Sequence, residues 1–222
     1  MKFLFVHIPK TAGMSLVYAF NGHFGAAACK RFGNGDPSDF AALSALSKSD
    51  LSGIQFMSGH FAYDDFRKFV GDEFRPICVF RDPVDRFVSA YNYLRGRADH
   101  PRKSDFPTSS FESYYDFLFH SARHEINIQC KYISGIPSFG CAVSVLREKN
   151  FIYSSIENIS ALQRALEVEL GISFELSHSN SSGAGVSRSD LSAGLINRIY
   201  VDNLEDYRLY LFARRFSEKF MG

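Results

Sequence analysis

The sequence predicts an α/β fold with a central, mostly parallel sheet flanked by helices. Two features predict it. Short continuous apolar runs such as Lys2–Ile8 and Ile77–Phe80 have the pattern of strands buried on both faces. They alternate with longer stretches of 3.6-residue apolar periodicity, the arrangement that builds strand–helix–strand units. The 222 residues suffice for one such domain, read here as residues 1–222.

The elements follow in order. Lys2–Ile8 is the first strand, ended by Pro9, and Met14–Phe20 is the helix after it. Residues 21–53 are rich in Gly, Ala and Ser, with a helix over Asp39–Leu46. Ile54–Ser58 is a second strand, leading through Gly59 and His60 to a helix over Asp64–Val70. Ile77–Phe80 is a third strand, and Pro83 then suits the first turn of a helix, where its missing N–H has no partner to lose. Val84, Phe87, Val88, Tyr91 and Leu94 form the apolar stripe of that helix. Residues 96–110 read as an exposed loop, followed by helices over Phe111–Ser121 and Glu125–Ile133. Phe151–Tyr153 is a fourth strand and Ile156–Leu170 a helix closed by Gly171. Asn180–Ser187 is a loop, and two helices meeting at Asp202 and Asn203 complete the chain.

Composition excludes several functions. Lys+Arg 25 against Asp+Glu 24 leaves a net charge of +1, so no global field draws the chain to nucleic acid or to an anionic membrane. No apolar run approaches the ~20 residues that cross a bilayer. Cys29, Cys78, Cys130 and Cys141 form no CxxC pair, which argues against a zinc site and fits a reducing compartment, with a single Cys130–Cys141 bridge left open. The amino terminus lacks the pattern of a signal peptide, so the chain reads as soluble and cytoplasmic.

The first segment that carries chemistry is His7-Ile8-Pro9-Lys10-Thr11-Ala12-Gly13-Met14-Ser15. A buried strand runs into a small-residue loop that opens a helix. The first backbone N–H groups of a helix lack intrahelical partners, and the helix dipole adds partial positive charge, so an anion is favoured there. Ala12 and Gly13 allow close backbone approach, Thr11 and Ser15 can donate hydroxyl hydrogen bonds, and Lys10 adds a full charge. The loop is not a Walker A motif, because Lys10 precedes it instead of standing at the helix start. An ordinary strand–turn–helix with a surface lysine accounts equally well for this segment taken alone.

Residues Ile8–Ser15 resemble the 5′-phosphosulfate loop of sulfotransferases that use 3′-phosphoadenosine 5′-phosphosulfate (PAPS), by eye closest to the carbohydrate branch typified by heparan sulfate 2-O-sulfotransferase. The resemblance implies a P-loop-like sulfotransferase fold, PAPS as sulfuryl donor, no metal, and donor contacts from Lys10, Thr11, Ala12, Gly13, Met14 and Ser15. Where relatives carry Thr or Ser this chain carries Met14, leaving its backbone N–H.

A nucleotide with two separate phosphate groups needs a second, spatially distinct anion site. Arg81-Asp82-Pro83-Val84-Asp85-Arg86-Phe87-Val88-Ser89-Ala90-Tyr91 offers one at the carboxyl end of a buried strand, the edge at which open α/β sheets bind ligands. The guanidinium fork of Arg81 matches phosphate oxygens and Ser89 adds a neutral donor. This stretch resembles the family's RDPxxRxxSxY motif, which implies that Arg81 and Ser89 hold the 3′-phosphate. Arg86 and Asp85 read as a helix-face ion pair at least as readily as ligand contacts.

Sulfuryl transfer requires the acceptor hydroxyl to lose its proton, a task suited to a histidine. His60 follows a strand, with Gly59 leaving room, and His60-x-x-x-x-x-Phe66 resembles the family segment carrying the catalytic histidine. His7 reads as structural. Charge gathers on the leaving phosphate oxygen, and Lys10 is the candidate to stabilise it.

Arg95, Arg97, Arg102 and Lys103 form a basic stretch that reads as either a solvated loop or an acceptor channel for an anionic glycan or another acidic molecule; the acceptor itself is expected to be hydroxyl-bearing, a glycan or a small molecule. Asn127-Ile128-Gln129 with Ser134-Gly135 resembles a family stretch and is assigned to packing. The Asn180–Arg188 loop is expected to close over the nucleotide. Two other readings stay open: a nucleotide or small-molecule kinase, and a non-catalytic nucleotide- or glycan-binding module.

Overall fold

The computed structural model describes residues 1–33, 37–97, 103–171 and 185–219. Five strands form one sheet: β1 (Lys2–Val6), β2 (Cys29–Phe32), β3 (Phe56–Gly59), β4 (Phe74–Phe80) and β5 (Ile152–Ser155). Their spatial order is β2-β3-β1-β4-β5 and every pairing is parallel. The helices are α1 (Gly13–Phe24), α2 (Pro37–Ser44), α3 (Lys48–Gly53), α4 (Tyr63–Val70), α5 (Pro83–Gly96), α6 (Phe111–Ser121), α7 (Ile128–Ser134), α8 (Phe139–Glu148), α9 (Ile159–Leu170), α10 (Ala193–Asp202) and α11 (Leu204–Lys219).

The continuous apolar run of β1 has the expected cause. Leu4 and Val6 join one buried cluster while Phe3 and Phe5 join another on the opposite face, so both faces are covered. A third cluster unites α5, α6 and α10 through Phe87, Tyr91, Tyr115 and Ile199. Asp82 caps α5, accepting hydrogen bonds from the backbone N–H of Val84 at 2.8 Å and of Asp85 at 3.4 Å, with Pro83 in the first turn. Such a cap contributes about 1 kcal/mol.

Three elements depart from expectation. Four strands were predicted and five are present; β2 lies in the stretch read as Gly- and Ser-rich, at the edge of the sheet, with Lys30 and Arg31 exposed. Charged edge strands discourage pairing with other chains and carry little apolar signal. Helices α3 and α8 were also unforeseen. All four cysteines are free, with Cys130 buried and Cys141 exposed, so the Cys130–Cys141 bridge left open by the sequence is absent. Among the described residues no helix is long and apolar enough to cross a membrane, and no cluster of His, Cys, Asp and Glu could hold a metal ion.

Candidate donor cradle and catalytic site

The strand order sets the site. Central β1 lies between β3 and β4, so the residues leaving these three parallel strands emerge at one edge: the Lys10–Ser15 loop after β1, His60 after β3, and Arg81 after β4. The chain leaves β1 towards β2 and β3 on one side and leaves β4 towards β5 on the other, so the connections diverge between β1 and β4, the situation in which a ligand crevice opens at the carboxyl ends.

The loop after β1 is tightly wound. Lys10 and Ala12 both have positive φ, 70° and 62°, in the left-handed region that residues with a Cβ usually avoid. Ala12 is the N-cap of α1 and provides no side-chain cap. The N–H groups of the first turn, from Gly13, Met14 and Ser15, therefore lack the side-chain acceptor that Ser47, Asp82 or Ser110 supplies to α3, α5 or α6. Met14 and Ser15 are half-buried there. Thr11 differs from expectation. It is fully buried and its hydroxyl donates to the Ile8 carbonyl at 2.9 Å, so that proton stabilises the loop and is not directed at a ligand.

Gly13 has a steric cause. A Cβ there would lie 2.4 Å from the His7 ring and 2.6 Å from Phe5, closer than any real contact. His7 is buried, stacks on Phe5 at 5.0 Å and meets the His60 ring at 4.3 Å. Burial, and then the neighbouring His60, Arg31 and Lys10 charges, push its pKa well below the ordinary histidine value. His7 is thus a neutral packing residue, as read from the sequence. The room expected beside Gly59 is also taken by protein: a Cβ there would meet Phe66 at 2.9 Å and Phe32 at 3.0 Å.

His60 is half-buried, with Nδ1 2.7 Å from the His7 carbonyl oxygen. A carbonyl only accepts, so Nδ1 carries the proton and Nε2 of the neutral ring carries the lone pair. Burial lowers the His60 pKa, the hydrogen bond to His7 raises it, and Arg31 again lowers it. The net direction is downward, which keeps the ring neutral near pH 7.

Arg81 stands closer to Lys10 than two separated anion sites would suggest. Its Nη1 donates to the Lys10 carbonyl at 3.1 Å, so the loop after β1 and the loop after β4 are joined. Its Nε is buried without a partner. The Arg81 backbone is clamped by the fully buried Gln129, which accepts from its N–H at 2.9 Å and donates to its carbonyl at 2.8 Å. Gln129 is held in turn by Asp206, whose carboxylate accepts from the N–H groups of Gln129 at 2.9 Å and Cys130 at 2.8 Å. Gln129 was assigned to packing; it is in fact a backbone clamp on Arg81.

Lys10 is half-buried and its ammonium lies 3.8 Å from the centre of the Tyr93 ring. Burial, then the charges of Arg81 and Arg97, bring its pKa down to about 8. Arg97 lies over the same ring at 5.0 Å and donates to the Tyr93 hydroxyl at 3.0 Å. Of the three arginines read as an acceptor channel, Arg97 therefore sits at the mouth of the cradle, Arg95 is exposed on the last turn of α5, and Arg102 lies outside the described residues. Much of the Asn180–Ser187 loop lies outside them as well.

The remaining motif residues differ in their surroundings. Ser89 is half-buried on α5, eight residues past Arg81. Arg86 is buried and serves the scaffold, donating to the Glu125 carbonyl at 3.0 Å and pairing with its carboxylate at 3.5 Å. Asp82 accepts from the Tyr200 hydroxyl at 2.6 Å and pairs with Arg188 at 3.3 Å; Arg188 also reaches Asp85 at 3.6 Å. Reading by sequence missed Arg31 and Tyr93. Arg31 is exposed opposite Ser58 on β3, two residues before His60, and acts on the charge of both histidines.

At its carboxyl edge the parallel α/β sheet thus carries a helix N-terminus lined by cations. The profile described as the Sulfotransferase family matches residues 1–213, and the chain belongs to that family. No curated protein sequence matches it. Among solved structures, the chain is similar to mouse sulfotransferase SULT7A1 complexed with PAP, at 18% identity and a TM-score of 0.46. That match covers 89% of this chain and 62% of the mouse chain, so this chain spans under two thirds of the mouse protein.

Proposed function

We propose that the protein is a PAPS-dependent O-sulfotransferase whose acceptor is a hydroxyl on a carbohydrate or another small molecule. One observation carries the reading: Lys10, Arg81 and Arg97 gather at one uncapped helix N-terminus, and among the described residues none of the three forms an ion pair with a carboxylate. Like charges repel, so an anion of several charges placed among them would be strongly favoured. The partnerless Arg81 Nε leaves one further donor beside them. A bisphosphorylated adenosine carrying a sulfuryl group fits this donor set.

When bound, PAPS supplies an activated sulfuryl group with the 5′-phosphate as its leaving group. In this reading the N–H groups of Gly13, Met14 and Ser15, with Lys10, hold the 5′ end. Arg81 and Ser89 hold the 3′-phosphate, on ground continuous with the first cradle. His60 Nε2 takes the acceptor proton, its Nδ1–H fixed on the His7 carbonyl. Lys10 meets the negative charge that develops on the leaving oxygen, which lowers the barrier selectively. Arg31, exposed beside His60, faces the approach of the acceptor.

The test begins with binding. Adenosine 3′,5′-bisphosphate should raise the melting temperature and ATP with magnesium should not. Calorimetry should show lost affinity in Arg81→Ala. In a transfer assay with labelled donor and a panel of glycans and small alcohols, His60→Ala should bind the bisphosphate and transfer nothing. Preference for ATP with magnesium would favour a kinase, and bisphosphate binding without transfer to any acceptor would favour a binding module.

A further inference from the structure

We propose that Tyr93 is a positioning residue for Lys10: the face of its ring holds the lysine ammonium at the mouth of the donor cradle, and Arg97 holds the ring. The inference rests on the reading of Lys10 as the cation of that cradle. The Lys10 Nζ lies 3.8 Å from the ring centre, well inside the ~6 Å over which a ring's negative face attracts a cation. The Arg97 guanidinium donates to the Tyr93 hydroxyl at 3.0 Å, which fixes the ring from its far end.

Ser89, Tyr93 and Arg97 follow one another at four-residue intervals along α5 and its C-cap, so they line one stripe of the helix. That stripe runs past the loop after β1. The groups facing Lys10 are Arg81 from the end of β4 and Arg97 from the end of α5, with His7 and His60 beyond. All are cations or neutral rings, and among the described residues no carboxylate pairs with Lys10. The Tyr93 face is thus the attraction that offsets the repulsion. Without it the ammonium would lose its proton more readily.

The experiment reads Lys10 directly. Competitive acetylation of the full chain over pH 6.5–10, followed by peptide mass spectrometry, gives the titration of Lys10 without any acceptor or donor. The variants are Tyr93→Phe, which keeps the ring face, and Tyr93→Leu, which removes it; Tyr93 is 38% exposed, so both are expected to fold. In Tyr93→Leu, Lys10 should label about threefold faster at pH 7, a midpoint lowered by about half a unit. Tyr93→Phe, which keeps the ring face and loses only the tether to Arg97, should titrate closer to wild type than Tyr93→Leu does. Identical titration in wild type and Tyr93→Leu would overturn the proposal, and so would equal shifts in both variants, which would assign the effect to the hydroxyl. Calorimetry with adenosine 3′,5′-bisphosphate runs in parallel. Failure of the wild type to bind it would overturn the donor reading, while the labelling result still decides whether the ring holds the lysine.

Discussion

The His60 Nδ1 lies 2.7 Å from the carbonyl oxygen of His7, and this one hydrogen bond sets which nitrogen of His60 is basic. The backbone of β1, through the residue after its last paired position, thereby orients a side chain that follows β3. The sheet register delivers this: Val6 is opposite Gly59, so the residues that follow each are neighbours.

Activity should therefore depend on pH in one direction on the acid side. In the proposed mechanism His60 acts as the base only when neutral, and burial holds its pKa below 6.5. The rate should be at its plateau near pH 7, fall as the pH drops below the ordinary histidine value, and begin to fall again as Lys10 loses its proton near pH 8. His60→Asn, which can still donate to the His7 carbonyl, should keep the fold and lose about 10²–10⁴-fold in turnover. A profile of kcat/KM between pH 5 and 8 checks both statements.

Stability should fall on acidification over the same range. His7 and His60 resist protonation in the folded state, whereas the unfolded chain takes up protons near pH 6.5. Between the lowered folded pKa and 6.5 the unfolded state binds more protons, so stability rises with pH, by at most about 1.4 kcal/mol per pH unit for each group. Urea denaturation at pH 7.5 and 5.5 measures the slope. His7→Gln should flatten it.

Gly13→Ala should destabilise by about 1–3 kcal/mol. The added methyl would overlap the His7 ring at 2.4 Å and Phe5 at 2.6 Å, and all three positions are buried. Because His7 supports His60, transfer should drop by more than the loss of folded protein explains. Denaturant midpoints and turnover, measured on one preparation, separate the two effects.

Gln129→Leu should cost about 2 kcal/mol or more, since it strands the buried N–H and carbonyl of Arg81 together. Affinity for adenosine 3′,5′-bisphosphate should fall although residue 129 is not among the proposed ligand contacts. Chemical denaturation and calorimetry provide the readouts.

The sheet was legible where strands are buried on both faces, because continuous apolar runs such as Phe3–Val6 and Ile77–Phe80 arise from that burial. Strand β2 was not, since half of Cys29–Phe32 is charged and exposed at an edge. The loop–helix junctions that carry Lys10, His60 and Arg81 could be read because their chemistry is local in sequence. Encounters between distant side chains could not: nothing near Tyr93 announces Lys10, and nothing near Arg31 announces His60. The hydroxyl of Thr11 was misjudged because a donor's availability depends on which carbonyl the loop turns towards it. Gln129 shows the same limit, its partner Arg81 being 48 residues away.

The chain of support Arg81–Gln129–Asp206 has a consequence for synthesis. Asp206 lies near the end of α11's first turn, and its carboxylate ties down the start of α7. A nascent chain leaving the ribosome would already hold the Lys10 loop, β4 and the Arg81 turn, yet no brace for Gln129. Competence to grip a nucleotide should therefore arrive late, only once the closing helices have emerged and docked.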